Sequence, residues 1–176
     1  METFLTERLV LRRPALADSE AIFVRYACDR EVTRYLGWPR HRSVADTREF
    51  VEFSDACWEQ WGTGPYVIEL RTTGYLLGST GLAIESPRRA MTGYVLAKDA
   101  WGHGYATEAL HAMVAVAARL GIEQLYAQVH VANTASMRVL EKCSFIAMGQ
   151  APRTLTFPNL EPGDAHEAMS YSRIIL

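Results

Sequence analysis

The sequence predicts an α/β (α+β) fold, a single mixed, mostly antiparallel sheet of six to seven strands with helices on both faces. Three observations carry this expectation. The segments run as one strand, a helical block, a meander of antiparallel strands, and then strand-helix-strand-helix-strand. The 176 residues suffice for one core and fall short of two ordinary domains, so residues 1–176 are expected to form a single domain. No internal repeat, low-complexity stretch or linker divides them.

From Thr6 to Arg13, Leu9 and Leu11 alternate with Arg8, Val10 and Arg12, the period of a strand, which Pro14 closes. Asp18 is the expected N-cap of a helix through Tyr26, and Asp29 that of a short helix ending near Leu36, before Gly37 and Pro39. Asp46 and Glu49 form a capping box for a longer helix to about Trp61, with Phe50, Ser54, Cys57, Trp58 and Trp61 on one face. Tyr66 to Arg71 and Tyr75 to Ile84, separated by Thr72-Thr73-Gly74, read as a hairpin, and Thr92 to Leu96 as the next strand.

Ala106, Ala109, Leu110, Met113, Ala117 and Leu120 then repeat at helical spacing, and Gly121 is a natural stop. Gln124 to Val131 reads as a strand, Thr134 to Cys143 as a helix capped by Asn133, and Phe145 to Met148 as a strand. Ala151 to His166 is a long loop, and Glu167 to Ile174 a final strand.

Composition excludes several classes of function. A net charge of -2 with scattered basic residues gives no footprint for nucleic acid. No apolar run approaches the roughly 18 residues of a membrane helix, and the polar opening is unlike a signal peptide, so a cytoplasmic location is expected. Cys28, Cys57 and Cys143 form no CxxC pair, and the five histidines show no metal-binding spacing, so neither a disulfide framework nor a metal is expected.

The segment with chemical content is Trp101-Gly102-His103-Gly104-Tyr105-Ala106-Thr107-Glu108-Ala109, between a strand and an amphipathic helix. Two alternate glycines let the backbone turn sharply and expose successive amides at the positive end of a helix, which suits a diphosphate. An ordinary glycine-rich connection is the plainer reading. A dinucleotide fingerprint would need glycine where Thr107 stands, and a P-loop would need a Gly-Lys-Ser/Thr triplet that the chain lacks.

Taken with Gly93-Tyr94-Val95-Leu96, Asn133-Thr134-Ala135-Ser136 and Glu141-Lys142-Cys143-Ser144-Phe145, this segment resembles the GNAT acetyltransferase superfamily. The opening Thr6-Glu7-Arg8-Leu9-Val10-Leu11-Arg12 resembles its RimJ/RimL branch, which acetylates protein N-termini. The resemblance spans nearly the whole chain. It implies a splayed central strand pair, acetyl-CoA (coenzyme A) as co-substrate, an amine acceptor that is a protein N-terminus or a small molecule, and a homodimer. A non-catalytic sensor that binds acyl-coenzyme A is the alternative.

The resemblance assigns the pyrophosphate to Trp101, Gly102, His103, Gly104, Tyr105, Ala106 and Thr107. It assigns the pantetheine arm to the backbone of Val95 and Leu96 and to Asn133 and Ser136. Relatives carry Arg or Gln at Trp101, usually glycine at Ser144, often a glutamate base at Met91, and often a tyrosine acid at Leu140. Ser136 is the nearest remaining hydroxyl to serve as acid, or simply the third residue of a capped helix. Glu85 is the nearest candidate base, or an exposed turn carboxylate. Tyr35, Trp38 and Trp58 stand in the block that forms one wall of the acceptor cleft in the family, and ordinary core positions would explain them equally.

Overall fold

The chain was analysed as a computed structural model that describes residues 3–152, 155–162, 164 and 166–175. Eight strands form one sheet: β1 (Thr3–Leu5), β2 (Leu9–Arg12), β3 (Pro65–Leu70), β4 (Tyr75–Ser86), β5 (Arg89–Leu96), β6 (Gln124–His130), β7 (Ile146–Gln150) and β8 (Ala168–Ile174). Their order is β1-β2-β3-β4-β5-β6-β8-β7, and every pairing except β5 with β6 is antiparallel. The count exceeds the expected six to seven because Thr3–Leu5 forms a strand of its own. Thr6 makes the break: its amide donates to the Leu9 carbonyl at 3.0 Å and its Oγ1 accepts the Leu9 amide at 2.9 Å.

Five α-helical segments flank the sheet: α1 (Ser19–Ile22), α2 (Arg30–Thr33), α3 (Val44–Trp61), α4 (Tyr105–Arg119) and α5 (Thr134–Lys142). On one face Ile22, Tyr26, Val32 and Val51 pack with Val67 and Leu76. On the other, Leu110, Met113 and Ala117 of α4 pack with Leu9, Leu11 and Ile68 of the early strands and with Leu125 and Ala127 of β6.

Four helix boundaries differ from the sequence expectation, the plainest being α2, which ends at Thr33 rather than near Leu36. Asp18 does not cap a continuous helix. Its carboxylate accepts two bonds from Arg12 at 2.7 and 2.8 Å and one from the Ala15 amide at 2.7 Å, inside a 3-10 turn, Leu16–Asp18. Beyond α1 the backbone widens into a π turn, Phe23–Ala27. In α3 the N-cap is Ser43, and Asp46 is the third helical residue, whose carboxylate reaches back to the amides of Arg42 and Ser43. The buried stripe of α3 is Thr47, Val51, Ser54 and Trp58, while Trp61 is exposed. Asp29, Asn133 and Gly121 stand at the helix ends expected of them.

Candidate active site

The middle of the sheet opens. Strand β5 pairs with β6 only through Arg89 with Gln124, Ala90 with Leu125 and Met91 with Tyr126. Beyond Met91, β5 follows β4 as far as Leu96, whereas β6 follows β8 as far as His130. The Ala97 amide donates to Leu77 of β4 at 2.8 Å. Strand alternation then turns the amides of Tyr94 and Leu96 towards the opening and that of Val95 towards β4. Of the backbone pair expected to meet the pantetheine arm, only Leu96 therefore offers its amide to the gap.

The glycine turn stands at the mouth of this opening. Gly102 and Gly104 have φ of 78° and 79°, left-handed values that a side chain resists. The first helical bond runs from the Glu108 amide to the Gly104 carbonyl at 3.1 Å. None of the six amides from Gly102 to Thr107 donates to another described residue. They form a cluster of unclaimed donors at the positive end of a 15-residue helix. Trp101 contributes its indole, which donates to the Leu96 carbonyl at 2.8 Å and ties the turn to the strand.

Asn133 caps α5, accepting the Ser136 amide at 3.2 Å. Ser136 in turn meets Tyr94 of β5, whose hydroxyl lies 2.8 Å from Ser136 Oγ and donates to the Ser136 carbonyl at 3.0 Å. Burial drives the Tyr94 phenol well above its ordinary pKa despite the Ser136 hydrogen bond, so it stays protonated. Leu140, the family's tyrosine position, is fully buried in the core and faces no opening.

The remaining expected residues separate. Tyr35 stacks on His130 at the end of β6, with centroids 4.8 Å apart, and Phe157 meets the same imidazole edge-on at 4.9 Å. The Asn159 side chain holds this corner closed, donating to the Thr33 and Trp38 carbonyls at 2.8 Å and accepting the Arg40 amide at 2.7 Å. The early helical block and the late loop thus join at one bank of the opening. Trp38 packs on His41 at 5.1 Å. Trp58 is a correction: it is 5% exposed, its indole donates to the Pro65 carbonyl at 2.9 Å, and it packs edge-on against Tyr66, so it is core.

Glu85 accepts the Tyr126 hydroxyl and pairs with Arg89 at 3.2 Å. Burial and the neighbouring Glu85 carboxylate push the Tyr126 phenol up to about 12, so it remains a donor to Glu85. The Glu85 carboxylate is thus already engaged by a phenol and a guanidinium. Among the described residues no cluster of histidine, cysteine, aspartate or glutamate could hold a metal, and no helix is long and apolar enough to cross a membrane. Sequence reasoning missed the contacts of Tyr94, His130, Phe157 and Asn159, though Tyr94 lies within the quoted Gly-Tyr motif.

A strand-like gap beside free amides suits an extended arm that ends in a diphosphate. The model of the acetyltransferase (GNAT) domain matches residues 8–146, which include the parting of β5 from β6, the glycine turn and the Asn133 cap. The chain belongs to the GNAT family. A GNAT relative, the uncharacterized N-acetyltransferase YoaA of Bacillus subtilis, is 32% identical over 164 residues, 92% of each chain. Among solved structures, RimL, a ribosomal-protein α-N-acetyltransferase in complex with coenzyme A, superposes with a TM-score of 0.85 at 24% identity, covering 98% of this chain and 97% of its own. An acetyltransferase of Salmonella typhimurium that modifies the N-terminal serine of a ribosomal protein gives 0.83 at 23% identity, covering 97% and 96%. These likenesses make the eight-stranded sheet a GNAT fold and the chain an N-acetyltransferase.

Proposed function

We propose that this GNAT chain transfers an acetyl group from acetyl-coenzyme A to a primary amine by direct attack within a ternary complex, and that a protein N-terminus is the preferred acceptor. The observation that carries the reading is the parting of β5 from β6 beside six uncommitted amides. The diphosphate would lie on the turn from Gly102 to Thr107, and the pantetheine arm along Tyr94–Leu96, with Asn133 and Ser136 on its other side. A β5 amide facing the gap would stabilise the thioester oxygen as negative charge develops on it.

The buried Cys143 thiol is raised to about 11 by its burial, which leaves it a poor nucleophile, so direct attack by the amine is the simpler route. At pH 7 an α-amine costs about 1 kcal/mol to deprotonate and a lysine about 4.6 kcal/mol. With Met91 in place of the family's glutamate and Glu85 already engaged, an acceptor that needs little help is favoured. The Salmonella relative acts on an N-terminal serine, which is such an amine.

Thiol release from acetyl-coenzyme A decides the matter. Peptides with free N-termini should react faster than N-blocked lysine peptides, and equal rates would reject the α-amine preference. Binding of coenzyme A with no thiol released for any amine would identify the sensor instead.

Ser136 is the hydroxyl best placed to pass a proton from the attacking nitrogen to the departing sulfur, and Tyr94 sets its orientation. Tyr94→Phe keeps the ring and removes that hydrogen bond. The expected result is a fall in kcat of about tenfold, with KM for acetyl-coenzyme A little changed. An unaltered kcat would remove both hydroxyls from the proton path.

A further inference from the structure

The opening motif and the glycine turn lie about a hundred residues apart in sequence and touch in the fold. Glu108, in the first turn of α4, accepts the Thr6 hydroxyl at 2.6 Å and the Arg8 amide at 2.8 Å on Oε1, and Arg8 Nε at 2.7 Å on Oε2. Its side chain is largely covered, at 16% exposure, against 42% for Arg8. The guanidinium, so fixed, spends another donor on the His103 carbonyl at 2.9 Å and lies over the Tyr105 ring at 4.7 Å. The network lies at the edge of the core, with the Arg8 side chain still partly exposed.

Their effect falls on one peptide plane. In a trans peptide the carbonyl oxygen of His103 and the amide hydrogen of Gly104 point in opposite directions. A carbonyl anchored on the Arg8 side therefore sends the Gly104 amide to the other side, where no described residue receives it. With glycine at 104, rotation of that plane meets little resistance on its Gly104 side, and the rotated state would offer an anion an oxygen instead of a donor.

We infer that Arg8, held by Glu108, is a positioning residue that aims the Gly104 amide at the diphosphate of the co-substrate. This rests on the function proposed above. It gives a physical task to the opening Thr6-Glu7-Arg8 segment, which lies too far along the chain to be read with the turn. Burial alone would raise the Glu108 carboxyl, but the bonds from Thr6 and Arg8 outweigh it and hold it below its ordinary value. The clamp is therefore complete above the unfolded carboxylate pKa of about 4.3 and is lost only as pH falls through the lower folded value.

The test compares two acetyl donors with one amine acceptor. Acetyl-coenzyme A carries the diphosphate, whereas acetyl-pantetheine has the same thioester and arm without it. Arg8→Met should lower the ratio of their kcat/KM values about tenfold, a change confined to the KM for acetyl-coenzyme A. The ratio cancels any loss of folded enzyme, and Arg8→Lys offers a second variant should Arg8→Met fold poorly. An unchanged ratio, or an equal fall for both donors, would overturn the inference. A wild-type chain that binds coenzyme A with no turnover, or does not bind it at all, would count against the proposed function instead.

Discussion

Gly78→Ala is expected to lower the melting temperature by roughly 10 °C, the largest stability effect of any single methyl added to the sheet. Gly78 faces Leu96 across the β4–β5 ladder. A Cβ there would lie 2.0 Å from the Val95 carbonyl oxygen and 2.9 Å from Leu96 Cα. Both are backbone atoms, so no rotamer change relieves the clash, and the strand itself must move. Overpacking of this kind costs about 3 kcal/mol at the upper end of the usual range. The displacement drives β5 towards the gap, so affinity for coenzyme A should fall in the fraction that still folds. Gly93→Ala on the facing strand is the control, because a Cβ there has no neighbour within 4 Å. Thermal unfolding of both variants settles the point, and a Gly78→Ala protein that melts with the wild type would contradict it.

The second expectation concerns the turn. A double Gly102→Ala, Gly104→Ala variant should raise KM for acetyl-coenzyme A roughly 30-fold while leaving kcat at saturation nearly unchanged. A methyl at 102 has no neighbour within 4 Å, and one at 104 comes only within 3.4 Å of Arg8 Nη2, so the fold has room for both. The penalty is conformational: each left-handed residue costs an L side chain about 1–2 kcal/mol. A free turn relaxes away from that geometry, and ligand binding must restore it. The two positions share one loop, so their effects need not add, and about 2 kcal/mol in total is the expectation. Steady-state titration of acetyl-coenzyme A is the measurement. A wild-type KM would mean that the diphosphate lies elsewhere.

The parts of this molecule that were legible in sequence are those with a local cause. Helix α4 announces itself by its apolar spacing and by Gly121, whose φ of 75° lets the chain leave the helix. Helix α5 does so by Asn133. Ser144, where relatives usually carry glycine, does adopt a left-handed φ of 60° just past that helix. The start of α3 reads one turn late: Asp46 with Glu49 looks like a capping pair, whereas the structure caps the helix at Ser43, with Asp46 as its third residue.

What escaped has a distant cause. Asp18 looks like a cap and is instead drawn off by Arg12, which also binds Glu69 of β3. Strand β1 is too short to show alternation and exists through its pairing with β2. In the site, the glycine turn and the Asn133 cap were readable, whereas Tyr94 meets Ser136 across 42 positions and Arg8 meets Glu108 across 100. Trp58 shows the converse: an aromatic residue at helical spacing fits a cleft wall and a core equally, and its burial, its contact with Tyr66 and its indole bond to Pro65 place it in the core.

The three rungs joining β5 to β6 are a slender junction between two lobes, and α4 bridges what they leave undone, with Leu9, Leu11 and Ile68 on one side and Leu125 and Ala127 on the other. The same rod carries at its tip the glycine turn proposed to hold the diphosphate. On that proposal, widening the slit would tilt the rod and re-aim the turn, coupling slit width to the hold on the phosphates. A chain reshaped to admit a bulkier acyl group would need compensating changes along α4, far from where the guest itself sits.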